Sequence, residues 1–128
     1  MQITGHTLKF NKDERLKSDK MIDLLFSEGK SKSYGSIRMV YYKIPDPIEQ
    51  LTQVMFSVPK KLFKSSVKRN LIKRRMREAY RLNRNELISK INENNLSIAI
   101  AFLYKDSDIK SFSKIEIDIK YLLNYLLK

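Results

Sequence analysis

Residues 96–104, LSIAIAFLY, form an almost unbroken apolar run. The run is far too short for a membrane helix, which needs about 20 residues, and it lacks the alternation of a half-buried strand. It reads as a β-strand buried on both faces, and therefore as the central strand of a sheet. Two other segments supply partners. In 37–42, Ile37, Met39 and Tyr41 alternate with Arg38, Val40 and Tyr42 until Pro45 and Pro47 end the pattern. In 52–58, Val54, Phe56 and Val58 share a face, so these two segments are expected to pair as an antiparallel hairpin. A helical pattern lies between the second of them and residues 96–104. Strand, helix, strand is a crossover unit, which predicts parallel pairing of the central strand with the hairpin's sheet.

Helical periodicity fills the rest. Ser18 is placed to cap a short helix in which Ile22, Leu25 and Phe26 share a face, with Gly29 just past its end. Residues 29–35 read as a Ser/Lys-rich connection. Ser113 and Glu116 have capping-box spacing, and Ile115, Ile119, Leu122 and Leu126 repeat at helical intervals behind them. Residues 1–17, basic and without sustained periodicity, are expected to be a partly ordered arm in which Leu8 and Phe10 allow a short strand. The sum is an α+β fold, a two-layer α/β sandwich with a small mixed sheet. At 128 residues it makes one domain, 1–128.

The crossover helix carries the chemistry. Residues 67–84, VKRNLIKRRMREAYRLNR, hold eight Lys or Arg against one acid, Glu78. At about 100° per residue, Arg69, Lys73, Arg77 and Arg81 fall on one line, with Arg74 and Arg84 beside it. Ile72, Met76, Ala79 and Leu87 take the arc that a domain would bury, Leu71 and Leu82 lie at its edge, and Ser65 or Ser66 caps the start. Like charges at i, i+4 weaken an isolated helix. A stripe of them therefore points to an anionic partner. With Lys60, Lys61, Lys64 and Lys68 leading into it, the stripe reads as a ladder for phosphates, and Asn70 as a hydrogen-bonding group for bases or sugars. The whole chain agrees, since 26 Lys and Arg against 14 acids leave a net charge of +12. Nucleic acid is the first partner this implies and an acidic membrane surface the second.

Catalytic constellations are missing from the pattern. His6 is the only histidine, and the acidic pairs Asp13 with Glu14 and Asp106 with Asp108 sit in polar segments and are expected to be solvated. No serine has His and Asp partners, no glycine-rich phosphate loop occurs, and no cysteine is present. No catalytic residue and no metal ligand is therefore assigned. The N-terminus has no apolar core of a signal peptide, so a soluble cytoplasmic protein is expected. Aromatic candidates for base stacking are Phe26, Tyr34, Tyr41 and Tyr42. Tyr41 and Tyr42 must point to opposite faces of their strand.

The segment 68–80, KRNLIKRRMREAY, preceded by SVPKKLFKSSV, closely resembles the signature of the bacterial ribonuclease P protein subunit. That family's motif runs Arg-Asn-Arg, an aliphatic residue, Lys and Arg; here it stands as Arg69, Asn70, Leu71, Ile72, Lys73 and Arg74. Leu71 occupies the place of the second Arg, and Phe63 the place of a usual Gly. The likeness extends from Leu16 to Gly29 and on through the strands to the C-terminal helix. It implies an αβββαβα order like that of ribosomal proteins, with an unusual left-handed crossover where the generic rule is right-handed. It also implies a protein that binds the catalytic RNA and the 5′ leader of precursor tRNA. The leader would enter a cleft between the first helix and the sheet, lined by Phe26 and by Tyr41 or Tyr42, with Ile22 where another Phe is often found. Catalytic groups and Mg²⁺ would belong to RNA and substrate, and the protein would be a monomer in a ribonucleoprotein without membrane contact. A structural RNA binder such as a ribosomal protein is the alternative. A peripheral membrane role lacks the apolar helix face it needs, and a helix-turn-helix lacks its tight paired helix.

Overall fold

The computed structural model describes residues 14–45, 47 and 51–128, so His6, Asp13 and the strand expected at Leu8 and Phe10 lie outside the described residues. In chain order the elements are α1 (Asp19–Glu28), β1 (Lys30–Tyr34), β2 (Ile37–Pro45), β3 (Thr52–Ser57), α2 (Ser66–Asn83), α3 (Asn85–Glu93), β4 (Leu96–Tyr104) and α4 (Phe112–Leu126). The four strands form one mixed sheet in the order β1-β2-β4-β3. As its apolar run requires, β4 is internal. It pairs antiparallel with β2 from Ile37↔Tyr104 to Pro45↔Leu96, and parallel with β3 from Thr52↔Ile98 to Ser57↔Leu103.

The expected hairpin is corrected. β2 and β3 are not neighbours, because β4 inserts between them and takes the position that buries it on both sides. The hairpin is instead β1 with β2, turning at Gly35 and Ser36. β1, read from sequence as a connection, is an edge strand whose KSKSY side chains stay largely exposed, so it carries no apolar alternation. Lysines on such an edge discourage pairing with another chain.

Helices α2, α3 and α4 cover one face of the sheet. The main core lies there, with Met39, Ile100 and Phe102 from the sheet meeting Ile72, Met76 and Ile119 from the helices. On the other face α1 covers part of the surface, and Leu25 packs with Leu16, Val40, Ala99 and Ala101. The two strand faces therefore differ: Ile37, Met39 and Tyr41 look toward the helical layer, Arg38, Val40 and Tyr42 toward α1.

Local signals hold with some shifts. Ser18 caps α1 by accepting from the Met21 N–H at 3.2 Å, and Ser65 caps α2 by accepting from Lys68 N–H at 3.3 Å. Gly29 ends α1 with φ −75°, not in the left-handed conformation of a C′ glycine. Glycine is needed there for space, since a Cβ would run into the Leu25 and Tyr41 carbonyl oxygens. α4 is capped by Ser111, whose Oγ accepts from Lys114 N–H at 3.2 Å, and not by Ser113. Glu116 instead accepts from Asn83 Nδ2 at 3.0 Å. The long helix breaks at Arg84, which separates α2 from α3.

The end of the expected arm is fastened down. Leu16 N–H donates to the Val54 carbonyl at 3.0 Å, and Leu16 is buried. Glu14, expected to be solvated, is also buried and forms an ion pair with Arg84 at 2.9 Å. Asp106 and Asp108 shape their own loop, Asp106 Oδ1 accepting from Asp108 N–H at 2.9 Å. That bond first, and Lys110 second, hold the Asp106 carboxyl below its usual range.

Candidate nucleic-acid interface

The basic helix divides its charges between structure and surface, a distinction that counting residues does not make. Arg84 is corrected first: at 1% exposure it is a core residue, paired with Glu14 and lying 6.0 Å over the Tyr80 ring, and it is not part of a surface stripe. Tyr80 is itself fully buried, and its hydroxyl donates to Glu14 at 3.3 Å. Burial, followed by the Glu14 charge, pushes the Tyr80 phenol far above its ordinary value.

Three more arginines are committed to neighbours. Arg69 donates through Nη1 to the Phe63 and Lys64 carbonyls, both at 2.8 Å, and so pins the loop that enters the helix. Arg75 donates to the Lys110 carbonyl at 2.6 Å, tying α2 to the loop before α4. Arg81 forms a two-point pair with Glu78, at 2.6 and 2.9 Å, and the hydrogen bond from Arg81 holds the Glu78 carboxyl below its usual range. Arg69 and Arg81 keep outward surface but bring less free charge than the helical wheel suggests.

What remains is concentrated at the start of α2. Lys60, Lys61, Lys64, Lys68, Asn70 and Arg74 are exposed, Lys73 and Arg77 half-buried. Among the described residues, no acid pairs with any of these cations. Arg77 lies 6.0 Å over the Phe56 ring, and its buried Nε has no hydrogen-bond partner among the described residues. α2 has no acid in its first turn. Acids are the residues that would ordinarily complement the positive helix end, so the lysines add to the helix dipole there. The dipole, the lysines and the first-turn N–H groups not taken by the Ser65 cap are the features by which helix N-termini attract anions. Phe63 holds the preceding loop in place by packing on Tyr104 at 6.1 Å between ring centroids. Leu71, where the resembling family has Arg, is half-buried.

The second candidate surface is the sheet face beside α1. Strand register places Arg38 opposite Leu103, Val40 opposite Ala101 and Tyr42 opposite Ala99. Ala99 and Ala101 are buried beneath Leu25, and a groove beside α1 is lined by Met21, Ile44, Gln53 and Ala99. Tyr42 is half-buried there against the smaller core. Tyr41 lies on the opposite face, edge-on to Tyr125 at 6.3 Å, so of the two tyrosines Tyr42 is the one directed to the groove. Burial, then the contact with Tyr125, raises the Tyr41 phenol above its usual value. On α1, Leu25 takes the buried position and Phe26 is 47% exposed, free to meet a ligand. Arg38, exposed on the Tyr42 face, is a cation that was not singled out from sequence, although the alternation that placed Tyr42 also placed Arg38. Among the described residues no three or more His, Asp or Glu converge to hold a metal ion, and no helix is long and apolar enough to cross a membrane.

The Ribonuclease P family model matches residues 10–126. The chain is 34% identical over 110 residues to the ribonuclease P protein component of Porphyromonas gingivalis, covering 86% of this chain and 80% of that one. It is also 34% identical over 116 residues to the ribonuclease P protein component of Chlorobaculum tepidum, covering 83% and 75%. Among solved structures, the RNase P protein from Thermotoga maritima superposes with a TM-score of 0.68 at 21% identity, over 88% of this chain and 96% of that one. That last likeness is one of fold.

Proposed function

The chain belongs to the ribonuclease P protein family, and from that membership we propose that it serves as the protein component of ribonuclease P, promoting removal of the 5′ leader from precursor tRNA. In this reading Lys60, Lys61, Lys64, Lys68, Asn70, Lys73, Arg74 and Arg77 dock on the catalytic RNA, with Arg69 and Arg81 at the margin. Phe26, Tyr42 and Arg38 receive the leader in the groove beside α1. The observation that carries the docking role is the set of exposed cations around the N-terminus of α2, none of them paired with an acid among the described residues.

The protein's part is to bind, orient and neutralise. Attack on the phosphodiester belongs to the RNA partner, with Mg²⁺ held by RNA and substrate supplying the Lewis-acid chemistry. The protein acts as a monomer within a cytoplasmic ribonucleoprotein. Cleavage of precursor tRNA, assayed with Mg²⁺ and with or without the catalytic RNA, tests the proposal. The protein alone should be inactive and should enhance cleavage when the RNA is added. Specific cleavage without RNA, or no enhancement with it, overturns the reading.

A further inference from the structure

An aromatic surface that neither the basic helix nor the α1 groove uses lies where β1 meets α4. The Tyr34 and Tyr121 rings stack with centroids 3.8 Å apart and planes 10° apart, yet the residues remain 38% and 42% exposed. A stacked pair that is this open contributes little to a core. Beside it the Lys32 ammonium sits 5.0 Å over the Tyr125 ring. Lys30, Lys32 and Tyr34 alternate along β1 and so project to one side. Their register partners Tyr41, Met39 and Ile37 place that side on the helical face of the sheet, opposite Tyr42.

The pair is also held in place. Asp118, fully buried one turn before Tyr121, accepts from Ser36 N–H at 3.0 Å and from Ser36 Oγ at 2.8 Å. Gly35 makes the turn at φ +58°, and a Cβ there would overlap the Asp118 carboxylate. Tyr34, next to Gly35, is thus fixed to the helix that carries Tyr121. A rigid open ring beside lysines matches how single-stranded nucleic acid is gripped, with bases on aromatic faces and phosphates on cations.

We propose that the β1–α4 edge is a second RNA contact, in which one unpaired base continues the Tyr34–Tyr121 stack while Lys30 and Lys32 meet adjacent phosphates. This rests on the reading of the chain as an RNA-binding ribonuclease P protein and adds a site to it. The partner is an unpaired nucleotide because a base inside a duplex has no free face to offer.

The test titrates the full chain with short single-stranded oligoadenylate and follows the ring signals of Tyr34, Tyr121 and Tyr42 by NMR. The variants Tyr34→Leu and Tyr121→Leu keep apolar bulk and remove a ring. Tyr34 and Tyr121 signals should shift on titration, and in each variant the affinity read from the remaining ring of the pair should fall by about 5- to 150-fold, the range expected for one base stack. Duplex RNA should leave both signals unmoved. Oligoadenylate that shifts only Tyr42, or variants that bind like the parent, would overturn the inference. So would self-association of the free protein through Tyr34 and Tyr121, which would make the edge a protein interface. Binding to the catalytic RNA, measured on the same samples, separates the two readings: if it persists while Tyr34 and Tyr121 are silent, only the second contact fails.

Discussion

At the scale of single residues, partners decide what a charge does. Glu78 occupies Arg81, so Glu78→Gln should release a cation, tighten RNA binding and steepen its salt dependence by about one unit, as read from affinities across a salt series. Arg84 behaves in the opposite way. Arg84→Ala would remove the counter-charge of the buried Glu14 carboxylate, leaving it the Tyr80 hydroxyl, and should cost about 3–5 kcal/mol, measured by urea unfolding. Tyr80 gives the same cluster a signature in pH. Its folded pKa is raised, so its contribution is fully present below the ordinary tyrosine value of about 10 and is lost as pH rises above it. Tyr80→Phe should flatten stability over that alkaline window in unfolding curves. The Glu14 cluster was not legible in the sequence, because Glu14 and Arg84 are 70 positions apart, whereas the Glu78–Arg81 pair sits at ordinary i, i+3 helical spacing.

At the scale of elements, the pattern of burial was readable and the order of strands was not. LSIAIAFLY marked the central strand because burial on both faces leaves no alternation, and Ile115, Ile119, Leu122 and Leu126 marked the inner face of α4, where all four are buried. β1 escaped notice because an exposed edge strand has no apolar face to signal. The β4 insertion escaped because sequence adjacency favoured pairing β2 with β3. Ser113 fitted a capping box by spacing alone, but Asn83 from α2 takes the Glu116 carboxylate that the box would need. The Leu8–Phe10 strand lies outside the described residues. The α1 groove leads to a prediction for paired neighbours. Tyr42→Ala should weaken binding of leader-bearing precursor tRNA to the assembled ribonucleoprotein and leave mature tRNA unchanged, a loss of roughly 1 to 3 kcal/mol per stacked base. Tyr41→Ala, on the far face, should spare that discrimination. Affinities of both tRNA forms for each variant decide it.

For the whole molecule, the layers explain how a small domain offers both of the proposed binding surfaces. The helical layer buries one sheet face and presents the cationic start of α2, while the partial cover by α1 leaves a groove on the other face. The sequence already pointed to RNA through net charge and the motif at residues 69–74. The structure places the exposed cations without acid partners on the Lys60–Lys64 loop and the first turns of α2, where we propose the docking surface, and takes Arg84 into the core. That placement is the central claim, and salt dependence tests it most directly. Lys64→Gln, Lys68→Gln and Arg74→Gln combined should lower the slope of log affinity for the catalytic RNA against log salt by about two to three units, since each lost phosphate contact removes about 0.7 to 0.9. An unchanged slope in the triple variant would contradict the account.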